Sequence, residues 1–254
     1  MMTSASAAAQ RLLTARQSGQ GCESLGLQTL DQGYAVQTEL TTLWRSAGLQ
    51  PCGYKLGLTD QRMQQATDFS HPLYGPLMRQ WQHASPARLT EAGLLSPRVE
   101  GEVAFVFKQG LDDANASEAQ LKAALSHVLP ALEVCDSAFL GWPTSLPDAL
   151  ADNLSCGLYV LGEQPVAVDG LDFASLEMNL LCNGELAASG HASQCMGSPL
   201  LACLWLVREL AAQGTPIQAG EIVLSGALGP MLRINQGDRL QMSLGVLGQV
   251  SCQF

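Results

Sequence analysis

"RVEGEVAFVF", residues Arg98 to Phe107, alternates as a half-buried β-strand does, yet it carries two carboxylates. Residues i and i+2 of a strand point the same way. Glu100 and Glu102 therefore project together, and Gly101 between them faces the other side. The face of the two glutamates continues through Ala104 and Val106, which are apolar. Like charges this close repel, and burial raises the cost of each. Two explanations are open: a solvent-facing strand side, or a buried acidic site compensated by basic partners or a cation.

Moving outward from this strand, the N-terminal side reads as helical and the C-terminal side as mainly strands. Helices are expected around 5–17 and 31–46, the second with Val36, Leu40, Leu43 and Trp44 on one face and a stop at Gly48. "CGYKLGL" reads as a short strand, and Thr59 as the cap of a short helix through "DQRMQQA". Residues 68–97, with several prolines, read as a loop-rich connection. Ser117 and Gln120 form a capping box for the helix "EAQLKAALSHVL", which Pro130 is expected to end. "ALEVC" and "CGLYVLG" read as strands. Asn183-Gly184 marks a hairpin, and Ser198-Pro199 opens a helix closed by Gly214. "EIVLSG" and "DRLQMSLGVLGQVSCQF" complete an α+β pattern rather than a regular βαβ alternation. The expected division is an N-terminal helical region over 1–80 and a β-rich catalytic domain over 81–254.

At 254 residues and 47% hydrophobic content, the chain can bury a sizeable core. A net charge of -10 disfavours nucleic acid and anionic membranes as partners. No apolar run approaches the length of a membrane-spanning helix, and the N-terminus lacks the pattern of a secretory signal. The eight cysteines contain no C-x-x-C and sit in apolar segments, which points to reduced, buried thiols and a cytoplasmic location.

A third carboxylate, Glu133, lies in the apolar segment "VLPALEVC" and needs a partner. If its strand pairs with that of Glu100 and Glu102, three hard oxygen ligands converge, a set suited to Mg2+ or Mn2+. The open positions of such an ion fit a 2-oxo acid, which chelates through two oxygens. Lys55 in "GYKLGLT" reads either as a snorkelling lysine or, beside an acidic metal site, as a carboxylate ligand or proton carrier.

The ordered set "GYKLGLT", "RVEGEVAFVF", "ALEVCDS", "ADNLSCGLYVLG" and "LSGALGPMLRINQGDRL" resembles the hydratase/decarboxylase branch of the fumarylacetoacetate hydrolase superfamily. The resemblance implies a mixed β-roll or sandwich core behind a smaller helical N-terminal region. It implies Mg2+ or Mn2+ on Glu100, Glu102 and Glu133, and a catalytic, substrate-binding Lys55. It further implies a substrate-carboxylate contact at Ser155, with Leu73 and the Gly226 turn near the pocket. The ion of such enzymes stabilises an enolate of the 2-oxo acid. The implied activity is a lyase of aromatic meta-cleavage catabolism; the short N-terminal region and apolar content point separately to a homo-oligomer. A decarboxylase would also be expected to pair with a partner enzyme of the pathway.

Two positions depart from the hydratase pattern. Leu73 stands where hydratases of this branch tend to carry an acid, which favours decarboxylation. Ala138 stands where many members carry an arginine. "ADNLSCGLYVLG" and "GALGPM" are more similar to hydratases. Hydration of a 2-hydroxy-2,4-dienoate to a 4-hydroxy-2-oxo acid is thus the first expectation, and decarboxylation of a 2-oxo-3-enedioate the second. A C–C hydrolase of acylpyruvates lacks its H-x-x-E segment here, although His71 precedes "PLYG". A non-catalytic binder of 2-oxo acids rests only on Leu73 and Ala138.

Overall fold

The structure, a computed structural model, describes residues 4–67, 69, 71–90 and 93–254. Two helices open it, α1 (Ala5–Ser18) and α2 (Leu30–Ser46). Ser4 caps the first, and a Thr29/Gln32 capping box starts the second. They bury Leu12, Val36, Leu40 and Trp44 in a small core of their own, together with Met78, Phe139 and Ala151. The chain then enters the sheets through β1 (Pro51–Gly57), α3 (Gln61–Gln65), β2 (Leu73–Met78), β3 (Gln82–Ala84) and β4 (Ala87–Arg88). Next come β5 (Arg98–Phe107), α4 (Glu118–Ala124), β6 (Leu125–Cys135), α5 (Leu146–Ala151) and β7 (Cys156–Leu161). The hairpin β8 (Glu177–Cys182) and β9 (Glu185–His191) precedes α6 (Pro199–Ala212). The last strands are β10 (Ile222–Leu224), β11 (Leu232–Arg233), β12 (Arg239–Leu244) and β13 (Gln249–Gln253).

These strands form two sheets. The larger runs β2-β1-β10-β5-β6-β7-β3, with β11 also on β5, and the smaller runs β4-β13-β12-β8-β9. The main core lies between them and beneath α6, where Val99, Val103, Phe105 and Phe107 of β5 meet Met178, Leu180, Met242 and Val250. Gly101 belongs to this side. A Cβ there would collide with the sulfurs of both Met178 and Met242, so only glycine lets β5 approach the second sheet so closely. The opposite side of β5 carries Glu100, Glu102 and Ala104, and Ala104 packs with Leu129, Ala131, Tyr159 and Leu224. The alternation of β5 thus separates a dry inter-sheet core from an acidic face.

Much of the expected order of elements is found, including the Asn183-Gly184 turn, whose residues adopt φ of 56° and 88°. Four local expectations need correction. The stretch 73–88 is not a loop, because β2, β3 and β4 all lie in it. Its strands are short and sit at sheet edges, where Pro76 needs no ladder donor. The cap of α3 is Asp60 rather than Thr59, since the Asp60 side chain accepts from Arg62 N. The helix after Ser117 stops at Ala124, and Leu125 onward is strand β6. Pro130 therefore lies within a strand and does not end a helix. Its carbonyl accepts from Gly162 N just past the end of β7, and its ring lies against that glycine, where a side chain would collide with Pro130 Cγ and Cδ. Expectations that touch residues 68, 70, 91 and 92 lie outside the described residues. β1 and β2, from the expected N-terminal region, are integral to the larger sheet, at its β2 edge.

Candidate active site

β5 and β6 pair antiparallel with Glu100 directly opposite Glu133 and Glu102 opposite Ala131. Lys55 of β1 lies beside Leu224 of β10, which lies beside Ala104 of β5. In-register neighbours share a face, so Lys55, Glu100, Glu102 and Glu133 all project from the same side of the larger sheet. Three strands distant in sequence thereby bring one ammonium and three carboxylates together. Glu102 and Glu133 are fully buried, Lys55 is nearly so, and Glu100 is half-buried.

The charges are only partly compensated. Lys55 Nζ lies 3.0 Å from Glu133 Oε1. Neither oxygen of Glu133 receives a hydrogen bond of good geometry, so the ion pair is Coulombic, and the buried Cys156 thiol is the other polar group beside this carboxylate. Glu102 Oε2 accepts from Gly226 N at 2.9 Å, while its Oε1 is buried without a partner. Glu100 Oε2 receives the weak S–H donor of Cys135 at 3.7 Å. Burial, and then Glu133, hold the Glu102 carboxyl far above its ordinary range. Burial pushes Glu100 up to about 7, against the pull of Lys55. Lys55 itself, which burial alone would lower, is raised by Glu133 and remains an ammonium. With all three carboxylates ionised, one ammonium would leave a deficit of positive charge, which protons on Glu102 and Glu100 otherwise fill.

That deficit is what a divalent cation removes. The donors are hard carboxylate oxygens, and buried oxygens of Glu102 and Glu133 lack hydrogen bonds of good geometry, so the residues present fit Mg2+ or Mn2+. Among the described residues, Glu100, Glu133 and Cys135 each offer a ligand atom within 4.8 Å of the others. The thiol is a member that sequence reading had assigned only to packing. Its signal was its place two residues after Glu133 on the same strand.

A cleft of about 530 Å³ opens on this face. Of the three clustered glutamates Glu100 borders it, along with Leu56, Leu58, Asp60, Met63, Pro230 and Met231. Arg62 lines it too, but its guanidinium is held in a two-pronged contact by Asp60, at 2.7 and 3.2 Å. The other expected contacts stand behind the wall. Leu73 is buried on β2 opposite Gly57. The Gly226 amide is spent on Glu102. Ser155 is buried, and both its donors go to Asp152: its N–H to the Asp152 carbonyl at 2.9 Å and its hydroxyl to Oδ2 at 3.1 Å. His71 is exposed and is not among the residues lining the cleft.

Asp152 is the hub of this second tier. Its Oδ2 also accepts from Ser137 Oγ and Ala138 N, and its Oδ1 pairs with Arg16 of α1 at 2.7 Å. Ala138, the position without the expected arginine, is fully buried. The guanidinium paired with Asp152 comes from Arg16 on the N-terminal helix. Residues 153–155 all take left-handed φ of 54° to 57°, a strained turn that these bonds hold in place.

Known proteins resemble the chain closely. The family described as fumarylacetoacetate (FAA) hydrolase, C-terminal, matches residues 80–254. A 2-keto-4-pentenoate hydratase of Paraburkholderia xenovorans (strain LB400) is 35% identical over 97% of this chain and 93% of its own length. A 2-hydroxyhexa-2,4-dienoate hydratase of Comamonas testosteroni is 34% identical over 89% of this chain and 86% of its own. In structure, 4-oxalocrotonate decarboxylase from Pseudomonas putida G7, complexed with magnesium and adipate, superposes with a TM-score of 0.91 at 24% identity, covering 98% of this chain and 97% of that one.

Proposed function

The chain belongs to the fumarylacetoacetate hydrolase family, and from that premise we propose that it is a lyase, a divalent-cation-dependent hydratase. Its substrate would be a 2-hydroxy-2,4-dienoate, hydrated to a 4-hydroxy-2-oxo acid. The observation that carries the reading is the convergence of Glu100, Glu102 and Glu133 beside the Lys55 ammonium, with buried oxygens of Glu102 and Glu133 left without hydrogen bonds behind Glu100, which borders a cleft.

Glu100, Glu102 and Glu133 would hold the ion. When bound, it supplies positive charge at the carboxylate and 2-oxygen of the substrate. The remaining work falls to the chain. The Gly226 amide fixes the Glu102 carboxylate, and Lys55 fixes that of Glu133. Lys55, a buried ammonium 3.0 Å from Glu133 Oε1, would return a proton to the substrate framework as the dienol becomes a ketone. Glu100, at the cleft with a value near neutrality, is placed to exchange a proton with water there.

The cleft supports a monocarboxylate. Its wall is largely apolar, and the one guanidinium lining it is already neutralised by Asp60. A substrate with a second, distal carboxylate would find no uncommitted cation among the lining residues. Decarboxylation of a 2-oxo-3-enedioate is the second reading, favoured by the apolar, buried Leu73 on the Lys55 face. Comparing kcat/KM for 2-hydroxypenta-2,4-dienoate and for 4-oxalocrotonate tests the choice. The hydratase reading expects the monoacid to be preferred at least tenfold. A preference for the diacid would transfer the assignment to the decarboxylase.

A further inference from the structure

Cys135 has no part in the proposed reaction, yet its sulfur reaches the carboxylate cluster. It stands on β6 two residues from Glu133 and diagonally across from Glu100, and it is almost fully buried. Its Sγ lies 3.7 Å from Glu100 Oε2. Sγ and one oxygen each of Glu100 and Glu133 fall within 4.8 Å of one another. The buried Glu133 Oε2 in the same cluster receives no hydrogen bond of good geometry. Tetrahedral Zn2+ binds sulfur at about 2.3 Å and carboxylate oxygen at about 2.1 Å, which sets its sulfur and oxygen ligands about 3.6 Å apart. The observed spacing therefore matches two donors to one small tetrahedral ion. Hard Mg2+ does not recruit sulfur, whereas thiophilic ions do.

The geometry points to a second coordination mode of this site: a soft divalent cation of the Zn2+, Co2+ or Cd2+ class held by Cys135 Sγ together with Glu100 and Glu133. The inference deepens the reading of these carboxylates as a cation site and rests on it. Binding through sulfur requires the thiolate, so the thiol proton leaves to solvent as the ion enters. The soft ion and Mg2+ share Glu100 and Glu133, so their binding is mutually exclusive. The chain would then be inhibited by thiophilic metals at its own metal site, rather than through an exposed thiol.

The test titrates the purified full chain with Co2+ in Mg2+-free buffer and reads thiolate-to-cobalt charge-transfer absorption. The band should grow to one equivalent in the wild type, vanish in Cys135→Ser and weaken in Glu133→Gln. It should persist in Cys203→Ser, which removes a buried thiol elsewhere. Cd2+ affinity should fall about 100-fold in Cys135→Ser. Should the serine variant fail to fold, Cys135→Ala serves in its place, and cadmium NMR of the wild type reads sulfur ligation directly. Co2+ bound without the charge-transfer band, a band that survives loss of Cys135, or no Co2+ binding would each overturn the inference. Mg2+ calorimetry on the same wild-type protein keeps the two claims apart. Mg2+ binding without the sulfur band leaves the hydratase site standing and removes the thiophilic mode. The sulfur band without Mg2+ binding does the reverse.

Discussion

Glu100 and Glu133 face each other across β5 and β6 at one register position, two carboxylates opposed on a buried sheet face with the Lys55 ammonium beside them. Opposed like charges destabilise a strand pair. The pair therefore gains from any cation that enters, and the following predictions derive from that.

Removing one ligand should weaken Mg2+ binding steeply. Glu102→Gln and Glu133→Gln should each lose at least 100-fold in affinity by titration calorimetry, about 2.7 kcal/mol. Without metal the two should part in urea unfolding: Glu102→Gln should cost little, because burial and Glu133 already hold that carboxyl protonated, whereas Glu133→Gln should destabilise, because it leaves the buried Lys55 without its counter-ion. Unchanged Mg2+ affinity in both would count against the assigned ligands.

Lys55→Met, which breaks the same buried pair from the other side, should also destabilise the metal-free protein. It leaves Glu133 buried with no cation, at a cost of about 3–5 kcal/mol in urea unfolding. Saturating Mg2+ should recover part of that loss while turnover stays low. A loss that Mg2+ does not reduce would mean that Lys55 acts apart from the cation site.

The acidic cluster also gives stability a sign with pH. The Glu100 carboxyl is raised by burial to about 7 in the folded chain, against about 4.3 unfolded. Between these values the folded state holds the extra proton, so this contribution to stability is present at the acid end and is lost as pH rises through about 7. Cation binding needs the carboxylates ionised. The rise in Tm caused by Mg2+ should therefore grow across the same window, as measured by thermal melts with and without Mg2+. A Mg2+ effect that is flat with pH would contradict it.

Arg16 ties the N-terminal helix to the buried Asp152 and, through it, to Ser155. Arg16→Met should cost about 2–3 kcal/mol, less than a fully buried pair because the guanidinium is partly exposed. Melting should fall by several degrees, and Arg16→Lys should restore only part of the loss, since a point charge replaces the fork. Equal stability of the methionine variant would show that α1 is held by its apolar face alone.

How far the sequence could be read follows from the range of each signal. The acidic pair, its third member and the Asn183-Gly184 turn depend on periodicity or on neighbouring residues, and all were legible. The strands between Leu73 and Arg88 were not, because prolines tolerated at sheet edges look like loop residues in one dimension. Leu125 to Leu129 satisfied a helical apolar pattern, and pairing with β5 overrode it. Arg16 and Asp152 are 136 residues apart, and nothing near either one in sequence announces the other. Cys135 was seen as a buried thiol, but its closeness to Glu100 exists only once β5 and β6 are in register.

The most direct measurement is the mass of the product formed from 2-hydroxypenta-2,4-dienoate by the purified chain with Mg2+. The account predicts a product heavier by one water, abolished by EDTA and by Glu102→Gln. An unchanged dienoate, alongside loss of carbon dioxide from 4-oxalocrotonate in the same preparation, would contradict it.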